Sequence, residues 1–152
     1  MRSTHHLIAS ILFSLSLISC GGGGEAVPLA FQSMQEQFSG TYAAGTYVFR
    51  TQAEMEAAWA AAPQQFGTPM EMPVIDFSRN TVVGISLGTG TRCDTPRIVA
   101  VYELGDAVQV SYFTNLGTGV TTLACLHPWR LSDFALIPAT REPVVFERTT
   151  QQ

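Results

Sequence analysis

The sequence predicts an α+β fold, a mainly antiparallel β-sheet of about six to eight strands packed with one main α-helix. Three observations predict it. The stretch 51–62 places apolar residues at helical spacing behind a capping signal. From residue 81 onward, short apolar runs alternate with polar positions and are punctuated by Gly, Asp, Asn and Pro. The long apolar run, 7–18, is about twelve residues, short of the ~20 that span a bilayer, and it stands apart from the domain.

Each element has its own signal. Residues 30–38 predict a first strand of weak pattern, 40–45 a turn and 47–49 a short strand. Thr51 and Glu54 then stand as N-cap and N3 of a capping box. Met55, Trp59 and Ala62 fall at i, i+4 and i+7, with Glu54 and Glu56 off that stripe, and Pro63 stops the helix. Trp59 is thus expected to be structural, the helix's anchor in the core. Residues 66–73 form an irregular connection. The run 81–87 puts Val83, Ile85 and Leu87 on one face. In 97–104, Ile98, Ala100, Tyr102 and Leu104 alternate with Val99, Val101 and Glu103. Gly105-Asp106 is a two-residue hairpin turn, and 107–113 returns with Val108, Val110 and Tyr112. Further strands are expected at 120–126, 134–137 and 144–147.

The N-terminus speaks of location. Arg2 precedes the apolar run, which ends in Leu17-Ile18-Ser19-Cys20, an apolar residue and a small residue ahead of a cysteine. That is the pattern of a bacterial lipobox, so 1–19 is expected to be a lipoprotein signal peptide and Cys20 the lipidated first residue of the mature chain. Residues 20–29, with Gly21-Gly22-Gly23-Gly24, form a flexible tether of ~15 Å r.m.s.. Residues 30–152 then form a single domain. Gly21 is not the Asp that favours retention at the inner membrane in well-studied lipoproteins, so the outer membrane is the expected home within the cell envelope.

Charge excludes two classes of partner. Charged residues are 13% of the chain, against a usual ~25%. There is no Lys, and removal of Arg2 leaves seven Arg against 12 acidic residues, a net charge of about −5. Such a domain has no electrostatic footprint for nucleic acid or for anionic lipid. The membrane is expected to be held by acyl chains, and a surface poor in charge fits either a plain small β domain or one that buries part of its surface against a protein partner.

Of the three cysteines, Cys20 takes lipid and Cys93 and Cys125 remain as an even pair in an oxidising compartment. They are expected to form a disulfide, with a loop-closure contribution of about 3–4 kcal/mol. Each follows a Leu-Gly-Thr-Gly turn, at 87–90 and 116–119, which could bring both to one rim of the sheet. The rival assignment takes Cys93, Cys125 and His127, with Asp94, as metal ligands, but Cys-x-His is not a familiar zinc spacing and a fourth ligand is not evident. No metal and no cofactor are expected.

Catalysis is weakly signalled. The mature chain has one histidine, His127, on which any Ser-His-Asp or Cys-His system would depend. Gly84-Ile85-Ser86-Leu87-Gly88 matches Gly-x-Ser-x-Gly, yet the nucleophile elbow needs a turn from strand into helix, and Ser86 lies inside a β pattern. Asp76 interrupts the apolar run Val74-Ile75-Asp76-Phe77 and is expected to be structural, making an Asx-type bond to backbone near Asn80. Asp133 is expected to cap a local turn. No residue is assigned as catalytic.

Trp59, Pro73-Val74-Ile75-Asp76-Phe77 and Thr81-Val82-Val83-Gly84-Ile85 through Gly88 carry a resemblance. So do Pro128, Ile137-Pro138 and Val144-Val145-Phe146. Over roughly 47–147 the chain resembles the C-terminal domain of PrcB-type proteins, lipoproteins of protease complexes. Where that family has a Gly-Gly-Tyr-type run, this chain has Arg92-Cys93-Asp94-Thr95-Pro96-Arg97, so a function specific to that loop does not carry over. The resemblance implies a stabilising or partner-binding role and supplies no catalytic residue. The expected function is a lipid-anchored, non-catalytic envelope module that binds a protein, and the resemblance implies a surface protease complex that it stabilises or modulates. The alternative is a small envelope hydrolase, or a ligand-binding or inhibitor lipoprotein, using His127 with Ser86 or Asp76.

Overall fold

In the computed structural model the described residues are 25–38, 40–63, 71–88, 95–115 and 131–150. Among them are eight strands and one helix. They are β1 (Val27–Pro28), β2 (Gln32–Ser33), β3 (Gly45–Phe49), α1 (Gln52–Ala61), β4 (Asn80–Ser86), β5 (Thr95–Glu103), β6 (Val108–Asn115), β7 (Ser132–Pro138) and β8 (Val144–Arg148).

The expected single sheet is two. One has the order β1-β5-β6-β8 and the other β2-β7-β4-β3. All pairs are antiparallel except β6 with β8. The reason lies in β4 and β7. Val83, Ile85, Ala135 and Ile137 face one way, against Ile98, Val101, Val108 and Val110 of the other sheet. Val82 and Phe134 face the other way, toward Met55 of α1 and toward Met34, Phe38 and Tyr42. A strand pair that is apolar on both faces needs a cover on each, and one helix supplies only one. The second sheet supplies the other, giving three layers.

The expected strand at 30–38 is instead a strap. β1 pairs with β5, Leu29 N–H donates to the Val101 carbonyl at 2.8 Å, and β2 pairs with β7. The strap crosses from one sheet to the other and closes the side of the sandwich. Pairing therefore begins at Val27, inside the stretch read as tether.

The helix forms behind its capping box. Glu54 N–H donates to Thr51 Oγ1 at 3.3 Å, and Thr51 N–H donates to Glu54 Oε2 at 3.1 Å. The Arg50 N–H, which donates to Glu54 Oε2 at 2.7 Å, is the chief cause that holds the Glu54 carboxyl below its ordinary range, and the Thr51 N–H and hydroxyl add to it. Met55 is fully buried, Ala62 is buried, and Trp59 is half-buried, edge-on to Phe38 with centroids 5.7 Å apart. Thr51→Ala is expected to cost about 1 kcal/mol in urea unfolding; no change would mean the box adds nothing to stability.

In β5 the expected alternation breaks. The ladder with β6 slips between Ile98 and Ala100, a β-bulge. Ile98 and Val101, an odd number of residues apart, both become buried, and Val99 is left 43% exposed. The hairpin turns at Gly105, whose φ of +73° is the left-handed region that favours glycine. The crossover from β7 to β8 is pinned by Arg50, whose guanidinium donates to the Thr140 carbonyl (3.0 Å) and the Glu142 carbonyl (2.7 Å). The expected strand at 120–126 lies outside the described residues.

Candidate functional site

Polar chemistry inside the fold gathers at one end of the sandwich. There β3, β4 and β7 meet in the register Gly45↔Ser86↔Ser132, and β5 and β6 in Thr95↔Asn115. Ser86, Ser132 and Asp133 are buried at this rim.

Ser86 Oγ donates to the Tyr42 carbonyl at 3.0 Å and accepts from Gly88 N–H at 3.1 Å. Gly88 follows with φ +76° and lies close against Ala44, so a side chain there would be strained and crowded. The Gly-x-Ser-x-Gly string thus has a conformational basis with no nucleophile elbow: its serine is a buried strand residue whose hydroxyl ties β4 to the Tyr42 segment. Both faces of β4 being buried, Ser86 does not turn to solvent. Ser86→Ala leaves the Tyr42 carbonyl and the Gly88 N–H without this partner. The expected loss is about 1–3 kcal/mol of stability in chemical denaturation, and an unchanged midpoint would count against it.

Asp133 is the residue that sequence reasoning misplaced. It does not cap a turn. It sits in β7, 3% exposed, on the face turned toward the other sheet. Its Oδ2 accepts from Ile98 N–H at 2.7 Å. The β5 bulge disrupts the ladder at Ile98, and the carboxylate takes up this N–H. Oδ1 has no hydrogen-bond partner among the described residues. Burial pushes the carboxyl above its ordinary value, against the opposing pull of the Ile98 N–H, the Arg97 charge and the Phe134 N–H. The only available sequence signal was an acid flanked by Ser132 and Phe134 at the head of an apolar strand. On the opposite face of the same sheet, Tyr42 Oη and Ser132 Oγ are also buried without a partner among the described residues. Burial raises the Tyr42 pKa, with a smaller contribution from Tyr47.

Asp76 stands elsewhere, exposed in the turn before β4. Its Oδ1 accepts from Ser78 N–H at 3.0 Å and from Ser78 Oγ, and its carbonyl accepts from the N–H groups of Arg79 and Asn80. The Ser78 hydroxyl is the chief cause that holds its carboxyl below the ordinary range. Asp76 and Arg79 also border an open groove of about 500 Å³ floored by Phe31, Leu136, Ile137 and Pro138. The rim does not include Asp76. It does not include Trp59 either, which packs under the helix.

Cys20, Cys93, Asp94, Cys125 and His127 lie outside the described residues. Of the described residues nearest 89–94 and 116–130, Thr95 pairs with Asn115, and Leu87 N–H donates to the Leu131 carbonyl at 2.8 Å. Among the described residues no three His, Cys, Asp or Glu side chains converge as metal ligands. No described helix is long and apolar enough to cross a membrane. No family model, no curated protein and no solved structure matches the chain.

Proposed function

We propose that the chain is a lipid-anchored, non-catalytic protein-binding module of the bacterial cell envelope, tethered through Cys20 at the outer membrane. Its partner is a surface protease complex that it stabilises or modulates, as the PrcB resemblance implies. The observation that carries the non-catalytic part is the commitment of Ser86: buried, with its hydroxyl donating to one backbone group and accepting from another. A nucleophile needs an exposed oxygen beside a base, and Asp76, the other candidate, is engaged with Ser78 in its own turn. The leader and lipobox at 1–20 support the location, and the low charge fraction supports a protein partner.

The test joins mass with lifetime. The mature protein is expected to begin at Cys20 and to carry diacylglyceryl and acyl mass. A protease is expected to copurify with it from envelope extract and to turn over faster when the module is deleted. A hydrolase activity of the pure domain, abolished by His127→Ala or Ser86→Ala with the fold intact, would replace this proposal with an envelope enzyme.

A further inference from the structure

We propose that the free edge of β8 pairs antiparallel with β8 of a second copy of this chain, about a two-fold axis at Val145, joining two β1-β5-β6-β8 sheets into one. The proposal starts from unpaired backbone groups. β8 is the outer strand of its sheet, held on one side by β6. Val108 N–H donates to the Pro143 carbonyl at 2.8 Å, and Thr149 N–H to the Tyr112 carbonyl at 2.7 Å. Alternate residues of a strand turn their N–H and C=O to opposite sides, so Val145 and Glu147 also bond toward β6. Val144, Phe146 and Arg148 turn theirs outward, with no backbone partner among the described residues. Such a row is a template for another strand. The other edges offer less. β1 and β2 are two residues long, and β3 carries no charge from Gly45 to Phe49 that would select a register.

The charges around β8 name the occupant. Charged residues at an edge normally bar a second strand, but here their order is reversed between the two ends. Arg141 and Glu142 precede β8, and Glu147 and Arg148 close it, all of them exposed. An antiparallel copy brings the start of one strand against the end of the other. With Val145 opposite Val145, Val144 of each copy exchanges hydrogen bonds with Phe146 of the other. Glu142 then faces Arg148 of the second copy, and Arg141 lies diagonal to Glu147. Each contact occurs twice, as a two-fold requires. Val145, 46% exposed, is covered by its own counterpart. The neighbouring registers are worse. An axis at Phe146 sets Val145 against Glu147, and an axis at Glu147 sets like charges face to face. Glu142 is available for the pair. Its N–H donates to Thr140 Oγ1 and its carbonyl accepts from Arg50, which leaves the carboxylate without a partner among the described residues. Arg148 donates to Thr114 Oγ1 through one guanidinium nitrogen and keeps other donors for a carboxylate. A pair of five-residue strands is a small interface of the weak, transient class, so the dimer depends on concentration.

The experiment uses the chain as the cell makes it, concentrated and mildly oxidised, with the wild type setting the background from the native cysteines. Val145→Cys places two thiols on a non-hydrogen-bonded pair with Cα atoms about 4.5 Å apart, inside disulfide range. It is expected to form a covalent dimer at least about tenfold faster than Val99→Cys, exposed on the interior strand β5. It should outpace Glu147→Cys by as much, since the two copies of that residue lie about 14 Å apart in this register. Arg148→Glu in the Val145→Cys chain should slow the cross-link about fivefold or more, and adding Glu142→Arg should restore it. Equal rates at positions 145 and 99, the fastest rate at 147, or an adduct with a different protein would overturn the pairing. So would a charge exchange that restores nothing, or a wild-type chain that sediments as a monomer at every concentration up to the millimolar range.

Discussion

Gly84→Ala is expected to destabilise the domain by about 3 kcal/mol or more, a large share of the 5–15 kcal/mol that holds a domain together. Gly84 lies directly opposite Phe134 across the β4–β7 pair. A Cβ at Gly84 would come within 2.2 Å of Phe134 Cδ1 and 2.3 Å of Cε1. The ring cannot swing away, because it is the hub of an aromatic cluster. It stacks on Phe38 at 4.4 Å and touches Tyr42 at 4.8 Å and Tyr47 at 5.8 Å. The glycine is needed for space, since a ring lying flat over a strand requires a position with no side chain beneath it. Phe134→Ala should cost about 3–5 kcal/mol by itself. In that background Gly84→Ala should cost little, because the atom it strikes is gone. A denaturant-unfolding double-mutant cycle reads the coupling directly. Equal costs of Gly84→Ala in both backgrounds would show that the clash is not what makes glycine necessary.

Asp133 should give the domain a pH dependence of unusual sign. Its carboxyl is raised above the ordinary 3.8 because burial penalises the charged form. The folded state then binds the proton more tightly than the unfolded chain. The stability it contributes is fully present below the unfolded pKa and is lost as pH rises through the folded pKa. Paired surface carboxylates such as Glu54, held below the ordinary range, act in the opposite direction. Asp133→Asn keeps an oxygen for the Ile98 N–H and removes the titration. Relative to the wild type, the Asn variant should therefore gain stability as pH rises from about 4 toward neutrality. Asp133→Ala leaves the Ile98 N–H without an acceptor and should fall about 1–3 kcal/mol below the Asn variant across the range. Parallel stability-against-pH curves for wild type and Asp133→Asn would refute the assignment.

Both residues show where reading along the chain stops. Gly84 and Ser86 belong to a recognisable string, yet what each does is set by a residue far away in sequence: Phe134 for the one, Tyr42 for the other. Asp133 carries no local signal of its partner, because the bulge it serves lies in another sheet. The bulge was equally hidden. Ile98-Val99-Ala100-Val101 permits strict alternation, and only the need to bury both Ile98 and Val101 against β4 and β7 selects the extra residue. The helix was legible because its cap, stripe and stop all lie within thirteen residues, 51–63, and interact with one another.

The sequence by itself determined the local elements: one capped helix, the described strands from 80 onward and the glycine turn of the hairpin. Each depends on neighbours a few residues apart, where backbone conformation and side-chain periodicity are decided. Only the tertiary structure decided that the strands divide into two sheets, that residues 27–33 strap them together, and that a carboxylate is buried between them. Apolar burial is non-directional, so a strand that is apolar on both faces states that it must be covered but not by what. That choice rests on which distant surfaces fit, and it is made when the layers pack.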